Sequence, residues 1–280
     1  MSAIEPTRAL NDHALLAARY GESCGPASSE LNEVLRCLFA HRSVRAYVQD
    51  PLPPGTLETL VAAAQSAATS SNMQFWSVIA VQDKERKAQM AQIANQQMHI
   101  VQAPLFLVWL ADLSRLDRVA KARGHELEAR DYLESFMVAA IDASLAAQNA
   151  VVAAESMGLA TVYIGALRND PERVAQLLEL PPYVMPVFGL CVGYEDQAKL
   201  TSIKPRLPQS AVLFHERYVP QAEMEQVERY DETLSAFSRQ NGMGNVNWTD
   251  RVFSRMGSIK GMSGRERMRA MVKALGFELR

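Results

Sequence analysis

The chain has 280 residues, 48% of them hydrophobic and 21% charged, enough for one large domain or two small ones around an ordinary core. Its 29 Lys and Arg against 31 Asp and Glu leave a formal net charge of −2, without the basic surplus of a nucleic-acid binder or the acidic excess of a disordered chain. Cys24, Cys37 and Cys191 show neither metal-ligand spacing nor a paired framework; this usage fits a reducing cytoplasm, with Cys37 and Cys191 packing as small apolar groups.

Residues 7–20 pattern as a short amphipathic helix without the apolar run of a signal peptide, and no stretch reads as a membrane span. Gly25-Pro26 breaks the chain, so residues 1–27 read as an N-terminal arm and 28–280 as the main domain. Ser28-Ser29 can cap the next helix, with Leu31, Val34, Leu35, Leu38 and Phe39 as its core stripe. The run His41-Arg42-Ser43-Val44-Arg45 follows. In an extended segment alternate residues share a face, so His41, Ser43 and Arg45 make a donor-rich surface suited to an anion.

Pro51 to Gly55 form a loop, and Thr56 caps a helix to about Ala67. Thr69-Ser70-Ser71-Asn72 is a polar turn, with hydroxyls placed as caps or ligand contacts. Trp76 to Val81 reads as a strand, Asp83 to about Asn95 as a helix, and Pro104 to Ala111 as a buried central strand. Residues 131–157 form the longest helix, stopped by Gly158; Asp142, Gln148 and Glu155 on it read as satisfied structural groups. Thr161 to Ile164 is a strand ending at Gly165, where a flat ligand can lie against the backbone of Tyr163, Ile164, Gly165 and Ala166. A helix starts at Asn169-Asp170-Pro171, and Met185 to Gly193 is another buried strand. The rest is a helical excursion broken at 242–244 and 261–264. Strands interleaved with helices indicate a three-layer α/β or α+β domain.

Lys204-Pro205-Arg206 is held extended by its prolines, so Lys204 and Arg206 share a face and form a second basic segment. Metal templates fail at all five histidines, and there is no nucleophile elbow, Walker loop or dinucleotide fingerprint. A nucleotide-like ligand must then be held by scattered basic residues, a pattern that suits flavin mononucleotide better than a dinucleotide fold.

The run HRSVRAYVQDPLPPGTLETLVAAAQSAATSSNMQ, the helix AAQNAVVAAESMGL, YIGALRNDPERVAQLL, VFGLCVGY, and IKPRLP followed by YDETL resemble the FMN-dependent nitroreductase superfamily, in its oxygen-insensitive NADPH nitroreductase and flavin reductase branch. The resemblance runs from about residue 35 to the end in the same motif order. It implies a three-layer α+β fold with a mixed central sheet, an intertwined homodimer, and FMN at the dimer interface. His41, Ser43, Lys204 and Arg206 would surround the phosphate, Arg45 would approach N1 and O2 of the ring, and Arg42, Val44 and Pro205 would belong to the same cofactor-binding set. Thr69, Ser70, Ser71 and Gln97 would contact the flavin, and Tyr163 to Ala166 would lie near N5. Ser71, Asn72 and Arg265 would line the acceptor side, and no side chain would act as nucleophile.

The implied reaction is ping-pong: NADH or NADPH gives hydride to N5 and leaves, and a nitroaromatic, a quinone or free flavin is then reduced. A cation near N1 stabilises the charge of the reduced ring. Three departures from the family pattern stand out. Ala166 replaces a second glycine, Asn72 replaces a larger apolar residue, and the loop Asn241 to Asn247 contains no arginine. That loop carries a basic cluster for the 2′-phosphate in NADPH-preferring relatives, so weak NADPH preference is expected. A flavin reductase supplying free reduced FMN and a non-catalytic flavin-binding protein are the alternatives.

Overall fold

The computed structural model describes residues 10–21, 30–220 and 223–280. The helices and strands follow in chain order: α1 (Asp12–Tyr20), α2 (Glu33–Ala40), α3 (Thr56–Gln65), β1 (Trp76–Val81), α4 (Lys84–Ile93), α5 (His99–Gln102) and β2 (Leu105–Asp112). After these come α6 (Ser114–Ala122), α7 (Leu133–Ser156), β3 (Ala160–Ile164), α8 (Pro171–Leu177), β4 (Val184–Gly193), α9 (Met224–Gln240), α10 (Trp248–Met256) and α11 (Met268–Ala274). Two compact units are distinguished, one of Met1–Arg42 with Thr201–Met262, the other of Ser43–Leu200 with Ser263–Arg280. The run His41 to Arg45 crosses from one to the other.

The second unit has the expected α+β architecture. Its sheet runs β1-β2-β4-β3, and every neighbouring pair is antiparallel. The parallel component of the expected mixed sheet is confined, among the described residues, to a single bridge between Ser43 and Thr161. β2 is buried at every position, and its alternation serves both faces. Phe106, Val108 and Leu110 pack with Met90 of α4, Ile100 of α5 and Val174 of α8. Leu105, Leu107 and Trp109 pack with Leu60 and Ala64 of α3 and the alanine-rich face of α7. This makes three layers, helices–sheet–helices.

α7 explains its own composition. Ala139, Ala143, Ala146, Ala147, Ala150 and Ala154 are buried, and small side chains let a helix lie close to a sheet. Against the expectation that no segment is apolar enough to span a membrane, this 24-residue helix is so by length and composition. Its contacts with α3 and β2 make it a core helix.

The pairing of β2 with β4 shifts register between Trp109 and Leu110: Trp109 faces Phe188 and Leu110 faces Pro186. Val187 is therefore the extra residue of a β-bulge. Pro186 sits beside it, where a residue without an N–H is tolerated inside a sheet.

The first unit is built around Leu15 of α1, Leu31 and Ile203, with Leu35 and Phe39 of α2 packed on them. Ser28-Ser29 lies outside the described residues; the cap of α2 is Asn32, whose side chain accepts from the Leu35 amide. Val34 and Leu38, expected in the core stripe, are exposed. At α3 the cap is Gly55, at φ 83°, and Thr56 is the first helical residue. Cys191 is buried and Cys37 half-buried.

Candidate functional site

In the second unit, Ser43 bridges to Thr161 of β3, and the Val44 amide donates to the Thr161 carbonyl at 3.0 Å. Val44 is buried in the core, so only its backbone can reach a ligand. Arg45 is exposed, as alternation requires, and its guanidinium donates to the Ser43 carbonyl at 3.3 Å.

Next to Arg45 in charge terms is His99, the first residue of α5, whose Nε2 is buried without a hydrogen-bond partner. Burial first, and the Arg45 charge second, pull the His99 pKa down to about 4. The imidazole is therefore neutral at pH 7. Gln97, two residues before it, accepts from the Ile100 amide through its backbone carbonyl at 3.1 Å. α5 is anchored at its other end by Lys87 of α4, a buried ammonium that donates to Val101 and Ala103 carbonyls at 3.2 and 2.7 Å.

The Thr69–Asn72 turn is held from α7. Asp142 accepts from the Thr69 hydroxyl, from the Ser70 amide at 3.1 Å and from the Phe75 amide at 3.2 Å. The Thr69 hydroxyl, whose proton is committed to Asp142, also accepts from the Gln74 amide at 2.9 Å. Ser71, Asn72 and Gln74 adopt left-handed backbone at φ 48°, 56° and 53°. Ser70, Ser71 and Asn72 are exposed.

Two further side chains of α7 hold β3. Glu155 accepts from the Thr161 hydroxyl at 3.0 Å, and Gln148 from the Tyr163 hydroxyl at 3.3 Å. Tyr163 also meets Phe188 edge-on at 5.0 Å. Asp142, Gln148 and Glu155 are thus hydrogen-bonded as expected, and each grips an element of the predicted site.

Ile164 is buried, leaving its backbone, while Gly165 and Ala166 are half-buried. A Cβ on Gly165 would stand 3.3 Å from the Arg168 guanidinium. The glycine thus makes room for an arginine that donates to the Val187 carbonyl at 2.6 Å. Burial, and then Arg265, lower the Arg168 pKa, which makes Arg265 an electrostatic neighbour. It follows Gly264, where a Cβ would meet the Asn169 carbonyl at 3.4 Å.

In the first unit, His41 ends α2, and Arg42 donates to the Thr201 carbonyl at 2.9 Å. Ile203 and Pro205 are buried, Lys204 is half-buried and Arg206 is exposed, the alternation expected of an extended segment. Tyr230 of α9 donates to the Pro205 carbonyl at 2.9 Å. Burial raises the Tyr230 pKa, and Arg206, Arg251 and Arg19 each pull it back. Those guanidiniums make a basic cluster, within which Arg251 Nε is buried without a partner. In the 241–247 loop, Asn245 accepts from Arg239 at 2.6 Å.

Sequence reasoning did not find Arg19 or His99 as site residues, and it named Arg168 only as a substitute cation for a 2′-phosphate. The groups that Arg19 and His99 meet, Lys204 and Arg45, lie far away in the chain, so no local spacing marks them.

Residues 38–194 match the Nitroreductase family, and residues 204–280 match the Nitroreductase family, C-terminal domain. The FMN reductase [NAD(P)H] of Bacillus subtilis (strain 168) is 42% identical over 229 residues, 80% of this chain and 91% of the relative. The structure of B. megaterium NfrA2 superposes with a TM-score of 0.83 at 39% identity, covering 89% of this chain and 100% of that one. The NADPH:FMN oxidoreductase from Vibrio harveyi, solved in complex with NAD+, gives 0.79 at 30% identity, covering 89% and 100%. With both segments matched in order and the three-layer fold shared, the chain belongs to the nitroreductase family.

Proposed function

We propose that this chain passes hydride from NADH or NADPH to small nitroaromatic or quinone acceptors by a ping-pong sequence. It is an NAD(P)H-dependent flavin oxidoreductase and holds FMN. The observation that carries the reading is the buried, unpartnered Nε2 of the neutral His99 beside the Arg45 guanidinium. A buried polar atom without a partner is costly, and the polar edge of an isoalloxazine supplies one. The unpartnered Arg251 Nε in the basic cluster of the first unit fits an anion in the same way.

Bound FMN supplies at N5 a centre that accepts and returns a hydride. The chain's own residues bind and orient. Arg45 places positive charge at the pyrimidine edge. The Tyr163–Ala166 backbone lines the N5 edge, and the Ser70–Asn72 turn and Arg265 border the face where reductant and acceptor alternate. Gln97 and Thr69, the latter through its backbone, complete the ring contacts. His41, Arg42, Ser43, Lys204, Pro205 and Arg206 serve the phosphate. Orientation over the ring does the catalytic work.

The working form is a homodimer in the cytoplasm. Leu133, Met137, Ile141 and Leu145, spaced by four along α7, are 46%, 47%, 53% and 43% exposed, an apolar stripe of the kind a partner subunit covers.

The test is anaerobic. The purified protein should be yellow, bleach with NADH or NADPH, and recover colour with a nitroaromatic or quinone. No bleaching with either nucleotide would favour a non-catalytic flavin binder. Recovery with free FMN alone would favour the flavin-reductase alternative.

A further inference from the structure

Arg19 lies in α1, ahead of the first family-matched residue, 38. It is nevertheless one of the most buried polar residues described, at 5% exposure. Its guanidinium reaches two segments distant in sequence. Nη2 donates to the carbonyls of Phe39 and His41, each at 2.9 Å, and Nη1 donates to the carbonyl of Lys204 at 2.7 Å. The backbone joins in, because the Arg206 amide donates to the Arg19 carbonyl at 2.9 Å. Residue 19 therefore holds one basic segment at its start and the other at Lys204 and Arg206.

α1 is itself fixed in the first unit. Asp12 accepts from the Leu31 amide at 3.0 Å and pairs with Arg36 at 2.7 Å, and Leu15 is buried against Leu31 and Ile203. A planar fork with five donors can satisfy several carbonyls at once, which an ammonium cannot do with the same geometry. Burying such a group is costly unless its donors are used. The arrangement is therefore a cross-link between the end of α2 and the Lys204–Arg206 segment.

We propose that Arg19 is a positioning residue for the flavin phosphate, and that the N-terminal arm is part of the cofactor site. This rests on the reading of His41, Lys204 and Arg206 as phosphate ligands. The arm sets the spacing of those ligands without touching the ligand itself. Loss of Arg19 should consequently be felt by the phosphate and not by the ring.

The experiment titrates flavin-free full-length protein with FMN and with riboflavin, which lacks the phosphate, and follows flavin fluorescence. For Arg19→Ala we expect FMN affinity to fall about tenfold or more, with riboflavin affinity within about twofold of wild type. Equal losses for both ligands, with a lower melting temperature of the flavin-free protein, identify general structural support and overturn the proposal. If Arg19→Ala does not fold, Arg19→Lys is read instead. It keeps the charge and loses the fork, so its FMN-to-riboflavin ratio should fall at least about threefold, and an unchanged ratio overturns the proposal. Arg206→Ala separates the two layers of the argument. If it leaves the ratio at the wild-type value, the phosphate reading itself fails. If it collapses the ratio while the Arg19 variants do not, only the role of Arg19 fails.

Discussion

Arg168 donates to the carbonyl of Val187, the residue of β4 that the register shift against β2 skips. The bulge and the arginine answer each other. An extra residue in a strand has a backbone carbonyl without a ladder partner, and a buried guanidinium needs acceptors. The same guanidinium lies against Gly165, so a defect in one strand supports the turn at the end of another.

Arg168→Ala should destabilise the flavin-free protein by about 1–3 kcal/mol, the usual cost of a buried carbonyl left without its donor. Urea unfolding measures it. Arg168→Lys should recover only part, because one ammonium cannot reach Val187 and fill the space beneath Gly165 together. Stability unchanged in both variants would mean that the carbonyl is satisfied otherwise.

Asp142 is the anchor of the Thr69–Asn72 turn, with three donors on one buried carboxylate. Asp142→Ala leaves a hydroxyl and two amides unpartnered in a loop that already contains left-handed residues. A loss of about 3 kcal/mol is expected, with a raised KM for the acceptor. Asp142→Asn keeps one acceptor oxygen and should fall between. A KM unchanged in both variants would detach this turn from the acceptor side.

His99 makes a prediction about pH. Its folded pKa of about 4 lies below the ordinary 6.5, so the unfolded chain takes up the proton first. The stability tied to this residue is full above about pH 6.5 and drains away as the pH falls toward 4. The side chain is only partly buried, so solvent screening holds the loss to about 1 kcal/mol. Unfolding free energies of wild type and His99→Gln, measured from pH 7 to 4.5, should differ in slope, the variant being flatter. Parallel curves would remove His99 from the acid response.

The 241–247 loop bears on nicotinamide choice. Without an arginine it offers no bidentate partner to a 2′-phosphate, so kcat/KM for NADH should equal or exceed that for NADPH. Of the three arginines that could substitute, Arg168 is engaged at Val187 and Arg251 lies in the cluster around Tyr230, whereas Arg239 is exposed and already bonded to Asn245 of the loop. Steady-state kinetics with both nucleotides decide the matter. A strong NADPH preference that disappears in Arg239→Ala would assign the role to that residue.

The exposed apolar stripe of α7 gives a direct test of the proposed dimer as well. Ile141→Asp puts a charge at the middle of an apolar face that a partner would desolvate, and should shift the protein to monomer in analytical ultracentrifugation. A wild-type protein that sediments as a monomer would leave the stripe unexplained.

The strands were legible because burial on both faces writes a continuous apolar run, as in Leu105 to Asp112. The helix α2 was less so: Val34 and Leu38 have the right spacing and still face outward, because periodicity marks an amphipathic face without saying that the chain covers all of it. At the site, alternation put His41, Ser43 and Arg45 on one face and Lys204 and Arg206 on a shared face, and the structure buries Val44, Ile203 and Pro205 between and beside them. What alternation did not read were pairs such as Arg19 with Lys204, or Asp142 with Ser70, whose partners stand 185 and 72 residues apart. Long-range pairs leave no local period.

The left-handed backbone at Ser71, Asn72 and Gln74 limits how the proposed acceptor side can be redesigned. Position 72 faces outward and invites library mutagenesis, but its φ of 56° suits glycine, asparagine and aspartate and penalises branched side chains. A randomised library there would lose most of its members to misfolding of the turn rather than to poor chemistry. Ser70 and Met73 carry no such backbone restriction and would accept a wider range of side chains for the same number of clones.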